Sequence, residues 1–277
     1  AGIVASGVTF IIIMKMADYS APKVQEYFGL PGVALPHTET VSWAPVMILL
    51  DKIYDKIPGF NKIHFDGESI QKKFGILGDP MVLGLILGAL IGVLAGYQPN
   101  AVITLAVNMA AVMFILPRMV RILMEGLMPL SEDAKKFLAK KFPGKEVNIG
   151  LDAAVATGSP MVISAALLMI PITLFLAVIL PGNKLLPLVD LSTLPFFMIW
   201  PVVASKGNLF RSLISGTLMM IAILYIGTNL APTVTMIAHS TNFAFPEGAS
   251  AVSSLDVGAH LVPYIIYKVS QFISMIF

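Results

Sequence analysis

The chain has 277 residues, of which 57% are hydrophobic and 12% are charged, and its mean hydropathy is +0.85. Soluble domains carry about 25% charged residues, so the composition excludes an ordinary soluble domain and predicts several membrane spans. The net charge of +2 excludes a strongly basic nucleic-acid-binding surface. The absence of cysteine excludes disulfides, thiolate metal sites and a cysteine nucleophile on this chain. The four histidines are scattered, so we expect neither a metal site nor a cofactor.

The chain begins inside an apolar run, Ala1–Met14, which is short for a span and is interpreted as the end of one. Because there is also no starting Met, we expect the chain to be the later part of a longer protein. The chain would then lack the N-terminal membrane half of that protein. The whole of 1–277 is predicted to be part of one transmembrane domain.

The stretch Leu30–Leu50 (LPGVALPHTETVSWAPVMILL) has apolar ends and a polar centre with His37, Thr38 and Glu39. Its three prolines and Gly32 prevent a continuous helix. Broken backbone and ionisable groups at membrane depth are found where they line a cavity or pathway. We therefore interpret the stretch as half of a substrate site. The alternative is a solvated segment at the membrane surface.

Two spans are predicted next, Met81–Tyr97 and Ala101–Leu116, and glycines recur at 84, 88, 92 and 96 in the first. This spacing predicts close approach of a neighbouring helix. Segments of about 51–75 and 117–146 hold most of the basic residues, so both are predicted to be cytoplasmic loops. Within the second loop, Ser131–Phe142 is predicted to form a separate short amphipathic helix with Ser131 as N-cap.

Val147–Pro160 (VNIGLDAAVATGSP) is a second broken stretch whose single acid, Asp152, is a candidate site residue. The alternative for Asp152 is a helix N-cap near the membrane surface. Gly158-Ser159-Pro160-Met161-Val162 echoes an earlier Gly78-Asp79-Pro80-Met81-Val82. Paired interrupted segments point to a transporter site near the bilayer midplane, so Asp79 and Ser159 join the candidate substrate-binding residues, although Asp79 also suits a helix cap.

The remaining apolar segments are candidate spans, and the small, polar segment Ala231–Ser254 is interpreted as re-entrant. The candidate spans are Met161–Leu180, Leu185–Ala204, Leu209–Leu230 and Leu255–Phe277. Together these elements predict an all-α membrane protein, a polytopic helical bundle with broken segments.

The sequence resembles the galactitol-specific IIC membrane component of the bacterial phosphotransferase system. The resemblance extends through loops as well as spans: LPGVALPHTETVSWAPVMILLDKIYDKIPG, FGILGDPMVLGLILGALIGVLAGY, MVRILMEGLMPLSEDAKKF, FPGKEVNIGLDAAVATGSPMV and AVILPGNKLLP. That family is similar in turn to the ascorbate IIC component, whose sugar site has a His–Gln pair and an Asp in two broken segments. These positions match His37, Thr38 and Asp152, with Thr38 in place of the Gln.

The resemblance implies an elevator-type homodimer that binds galactitol or a similar polyol and presents it to a phosphorylated IIB protein, which carries the donor cysteine. The chain would then be the membrane subunit of a sugar phosphotransferase, located in the bacterial inner membrane. His37, Thr38, Glu39, Asp79, Asp152 and Ser159 are the predicted substrate-binding residues. Either Asp152 or Glu39 is expected to accept the hydroxyl proton. The alternatives are an ion-coupled secondary transporter of a small polar solute and a membrane scaffold that does not transport.

Overall fold

The computed structural model describes residues 2–60, 63, 80–141, 148–245 and 250–276. These ranges are mostly helical, which confirms the predicted helical class, while the elevator-type motion stays a prediction. The helices are α1 (Gly2–Phe28), α2 (Thr38–Val41), α3 (Ala44–Tyr54), α4 (Pro80–Leu94), α5 (Pro99–Lys141), α6 (Asp152–Gly158), α7 (Pro160–Ile179), α8 (Leu194–Ala204), α9 (Leu209–Ser240), α10 (Leu255–Ala259) and α11 (Leu261–Ile276). Two strands, β1 (Val33–Ala34) and β2 (Ile149–Gly150), and a 3-10 turn, Asp190–Thr193, also occur.

Among the described residues, three helices are long and apolar enough to cross a membrane: α1, α7 and α9. The predicted apolar run at the N-terminus is the first part of α1, and the helix continues through the polar residues that follow. The predicted span at Met81–Tyr97 is the 15-residue helix α4, which ends at Leu94.

The glycines of α4 lie against α5, as their spacing predicts. A Cβ atom added to Gly84 would lie 2.8 Å from the carbonyl oxygen of Met109, and one added to Gly88 would lie 2.8 Å from the Cα of Ala106. Because only glycine leaves this room, the two helix backbones approach closely along the pair.

Helix α5 corrects the prediction of a loop at 117–146 that contains a separate helix at Ser131–Phe142. The backbone is helical without interruption from Pro99 to Lys141, so Ser131 lies inside a helix and is not an N-cap. A proline removes one intrahelical hydrogen bond but does not by itself end a helix, and the sequence around Pro117 and Pro129 is rich in helix-forming Leu, Met and Arg. The other predicted loop, 51–75, lies largely outside the described residues.

The C-terminal half differs from prediction in three places. The predicted span Leu185–Ala204 contains one α-helix, the 11-residue α8. The chain around Pro187 is not helical, and α8 starts beside Pro195. Helix α9 continues past Pro232 to Ser240, so the first part of the predicted re-entrant segment is helical. Its polar side chains fit there because their hydroxyls bond locally or to α11, as Thr235 does with the carbonyl of Ala231 at 2.7 Å.

The third difference is that the predicted span Leu255–Phe277 consists of two helices, α10 and α11, separated at His260. Pro263 lies in the first turn of α11, where its missing N–H costs no hydrogen bond. Three interrupted segments in the described part of the chain each contain one short α-helix. They are the first broken segment (29–43, with α2), the second (148–159, with α6) and the third (250–260, with α10).

The core that carries these segments centres on α8. Its side chains from Phe197 to Ala204 are all buried, with Trp200 at 1% exposure, and α8 packs against α7, α9, α2, α3 and α6. Close helix packing continues at α9 and α10, where a Cβ atom on Gly258 would meet the carbonyl oxygen of Ile223. A short apolar helix is thus surrounded by protein and supports the broken segments on several sides.

Candidate substrate site

The first and second broken segments meet through a parallel pair of strands. Val33 pairs with Ile149 and Ala34 with Gly150, and the N–H of Leu151 donates to the carbonyl of Ala34 at 3.2 Å. Gly150 is required at this junction, since a Cβ atom there would lie 2.7 Å from Cγ of Pro36. Two segments separated by more than a hundred residues are therefore fixed in register beside each other.

Side chains of α1 and of the second segment hold this strand pair. The side-chain amide of Gln25 donates to the carbonyl of Val33 and to Oδ1 of Asn148, both at 3.2 Å. The side-chain amide of Asn148 donates in turn to Asp18 at 3.3 Å. These bonds satisfy polar groups that the broken backbone leaves free, as a segment inside a membrane protein requires.

Asp152 connects the two segments. Its Oδ1 accepts from the hydroxyl of Thr40 at 2.6 Å and from the backbone N–H of His37 at 3.2 Å. Asp152 is the first residue of α6, which is a favourable place for a carboxylate because the N-terminal N–H groups of a helix point toward it.

His37 and Glu39 form a pair at the start of α2. Nδ1 of His37 lies 3.5 Å from Oε2 of Glu39. The His37 side chain is 48% exposed, whereas the Glu39 side chain is 7% exposed and its Oε1 atom has no hydrogen-bond partner in the described part of the chain. An accessible imidazole thus lies beside a buried carboxyl group whose Oε1 atom can still accept a hydrogen bond.

A second histidine–carboxylate pair, which sequence reasoning missed, faces this one. Nε2 of His260 lies 3.3 Å from Oδ1 of Asp256, and the rings of His37 and His260 are 6.4 Å apart between centroids. The indole N–H of Trp43 donates to the carbonyl of Ala259 at 2.7 Å and ties the third segment to the first. The signal in the sequence was the spacing of four between Asp256 and His260, which places the two on one side of a helix.

The other predicted residues contribute differently. Thr38 is half-buried, and the residue whose hydroxyl reaches Asp152 is Thr40, two positions further on. Ser159 is the N-cap of α7 and accepts from the N–H of Val162 at 3.3 Å. Asp79 lies outside the described residues, so neither its predicted binding role nor its predicted capping role has a structural account.

The arrangement suits a neutral, hydroxyl-rich ligand. Carboxylate oxygens accept hydrogen bonds, and each imidazole can donate from one nitrogen and accept at the other. In the described ranges, no group of three or more His, Asp or Glu side chains is arranged to hold a metal ion.

Comparison with known proteins identifies the family. The sequence model of the family described as the sugar-specific permease component of the PTS system (EIIC-GAT) matches residues 1–248. The chain belongs to this family. This confirms the predicted membership of the phosphotransferase-system permeases and, with the long apolar helices, the predicted location in a bacterial inner membrane.

Two relatives from Escherichia coli (strain K12) are similar to this EIIC-GAT chain. It is 45% identical over 245 residues to a "Putative permease IIC component", covering 88% of this chain and 56% of the relative. It is 40% identical over 257 residues to a "PTS system galactitol-specific EIIC component", covering 93% of this chain and 56% of the relative. The chain therefore spans about half the length of the curated relatives it matches. No solved structure matches it.

Proposed function

We propose that the full-length protein is a IIC permease that binds galactitol or a similar polyol, moves it across the membrane and presents it to a phosphorylated IIB protein. Membership of the EIIC-GAT family and the 40% identity to a galactitol-specific component support this proposal. The observation that carries it is the junction at Asp152, because two broken segments meet there and its carboxylate accepts from the Thr40 hydroxyl and from the backbone N–H of His37, whose imidazole lies beside Glu39.

The proposed chemistry follows from the donors and acceptors around the junction. His37, Thr38, Ser159 and the two acids would bind successive hydroxyls of the polyol, and Asp79 is proposed on the internal echo of its segment with that of Ser159 alone. Phosphoryl transfer from IIB to a hydroxyl requires that the hydroxyl lose its proton. A carboxylate beside the hydroxyl is suited to accept it, and Asp152 and Glu39 both lie where the first and second broken segments meet.

Helix α5 offers a surface for the IIB protein. Its 43 residues would extend roughly 65 Å at the helical rise per residue, which is about twice the hydrocarbon thickness of a bilayer. Its apolar first half fits within a membrane, so the charged half that follows Arg118 would project from it. Asp133 and Lys136 in that half form an exposed ion pair at 3.3 Å. We propose that this half is cytoplasmic, as its basic residues favour.

The finer proposals rest on the resemblance to the ascorbate IIC component. They are a homodimer and an elevator-like movement of a core domain against a dimerisation domain. The mass of the purified full-length protein in detergent, corrected for bound detergent, tests the first: twice the mass of one chain supports the homodimer, and the mass of a single chain contradicts it.

Uptake in cells tests the function as a whole. A strain without its own galactitol permease would express the full-length protein with its IIB partner, and labelled galactitol would be followed as free and phosphorylated sugar. We expect accumulation of the phosphorylated form, its loss when the IIB cysteine is replaced by serine, and strong reduction in Asp152→Asn and Glu39→Gln. Glu26→Gln, which changes an exposed acid on α1, is the matched control.

The same assay separates the alternatives. Uptake that survives loss of the IIB cysteine and collapses with the proton gradient would favour an ion-coupled transporter. Uptake that is unchanged in both acid variants would contradict a role of the junction in transport and favour a scaffold.

A further inference from the structure

The third broken segment carries a histidine–carboxylate pair that the proposed function has not used. Asp256 and His260 lie at the two ends of α10, with Nε2 of His260 3.3 Å from Oδ1 of Asp256. Both residues lie beyond residue 248, where the match to the family ends.

Several bonds fix α10 in place. Ser254 caps the helix by accepting from the N–H of Val257 at 3.1 Å, and Asp190 accepts from the N–H of Leu255 at 2.6 Å. Gly258 brings α10 into direct contact with α9. A side chain on an element this well fixed can be held at a defined distance from a ligand.

The pair faces the predicted site across a short gap. The centroids of the His37 and His260 rings are 6.4 Å apart, and the ring of Phe196 is 6.2 Å from that of His37. The side chain of His37 is 48% exposed and that of His260 is 26% exposed, so both have surface available to a ligand. Glu39 lies beside His37, is 5% exposed, and has an Oε1 atom that lacks a partner among the described residues.

An unused acceptor in a buried carboxyl group is costly unless a ligand or water completes it. Nδ1 of His37 lies 3.5 Å from Oε2 of Glu39, and the ring centroid of His37 lies 6.4 Å from that of His260. The two histidine–carboxylate pairs are therefore neighbours and offer the same kinds of donor and acceptor.

We propose that His260 and Asp256 form the second wall of the site and bind the hydroxyls at one end of a linear polyol while His37 and Glu39 bind those at the other end. The ligand class is an open-chain, uncharged polyol, because each wall supplies hydrogen-bonding groups and neither supplies an unpaired charge for an ionic ligand. Phe196 provides an apolar surface for the carbon chain. This inference rests on the proposed function, and it adds a third segment to the substrate site.

Ligand protection on the unmodified full-length protein tests the inference without any substitution. The purified protein would be treated with diethyl pyrocarbonate, which modifies accessible imidazoles, with and without saturating galactitol, and modified peptides would be quantified by mass spectrometry. We expect galactitol to slow the modification of both His37 and His260 at least about fivefold. His239, an exposed histidine stacked on Phe245, is the control and should react equally in both conditions.

Two conservative variants give the matching affinity measurement. Loss of one or two hydrogen bonds to a ligand predicts that His260→Gln and Asp256→Asn each weaken galactitol binding about tenfold in titration calorimetry, with the melting temperature of the protein unchanged. His239→Gln should bind as the unmodified protein does.

The outcomes distinguish this inference from the proposed function. Protection of His37 without protection of His260, together with unchanged affinity in both variants, would overturn the second wall and leave the proposed function intact. Absence of galactitol binding to the unmodified protein would overturn the proposed function and the inference with it.

Discussion

The junction at Asp152 predicts how much the meeting of the two broken segments contributes to stability. Asp152→Ala removes the acceptor for the Thr40 hydroxyl at 2.6 Å and for the N–H of His37 at 3.2 Å. The Thr40 hydroxyl keeps a second acceptor, the carbonyl of His37 at 2.9 Å, so it is not left unpaired. The main loss is a hydrogen bond to a charged group, which contributes about 1.5–3 kcal/mol.

Asp152→Asn keeps an acceptor oxygen in the same place, so the loss should be smaller, about 1 kcal/mol. The free energy of unfolding would be measured on the full-length protein in mixed micelles by titration with a denaturing detergent. Tryptophan fluorescence is a suitable signal because Trp43 lies on the first broken segment and is bonded to Ala259. Equal stability of Asp152→Ala and the unmodified protein would refute the reasoning, and so would an Asn variant that is less stable than the Ala variant.

Three further predictions concern the packing around the site and use the same unfolding assay. Gly88→Ala should lower the free energy of unfolding by about 1–3 kcal/mol because its Cβ would lie 2.8 Å from Cα of Ala106. Gly126→Ala, in open space on α5, should raise the free energy of unfolding by about 0.5–1 kcal/mol. Equal effects of the two substitutions would contradict the packing of α4 on α5. Trp43→Phe should lower the free energy of unfolding by about 1 kcal/mol through loss of its bond to Ala259; its unfolding would be followed by circular dichroism because the substitution removes the fluorescent side chain, and an unchanged stability would argue against that bond. Arg211→Ala should lower the free energy of unfolding by about 2–4 kcal/mol, since it leaves Asp51 and Asp55 without the buried cation that donates to them at 2.9 and 2.7 Å. Arg211→Lys should lower it less. The reverse order of the two variants would contradict the ion pair.

The sequence predicted the broken segments well because their signals are local. Prolines, a polar centre and apolar ends identified Leu30–Leu50, and a lone acid among small residues identified Val147–Pro160. The inference that the two segments contact each other is consistent with the bonds between His37, Thr40 and Asp152. The choice of Thr38 followed the resemblance, and the helical turn of α2 instead brings Thr40 to Asp152.

Helix boundaries were predicted less well, because charged or polar stretches were predicted to be loops or re-entrant segments. Helix α5 passes Pro117 and Pro129, and α9 passes Pro232, without a break. Near Pro187 the error was the reverse: an apolar run that was predicted to be part of a helical span is not helical there. Packing around the short helix α8 compensates for the missing helical bonds in ways that no single segment of sequence reveals.

The third broken segment was missed because its two functional candidates were considered separately. His260 was counted among scattered histidines, and Asp256 was read as part of a span. Their approach to His37 depends on α10 packing against α9 and on the bond from Trp43, which are contacts between distant parts of the chain. Tertiary contacts of this kind cannot be obtained from spacing alone.

The measurement that tests the account most directly is equilibrium binding of galactitol, sorbitol and mannitol to the purified full-length protein, with and without Asp152→Asn. The account predicts that the unmodified protein binds galactitol or one of the related polyols and that the Asn variant binds it about tenfold or more weakly, because a hydrogen bond to a charged acceptor is lost. Equal affinity of the two proteins for every polyol would contradict the claim that the junction at Asp152 is the substrate site.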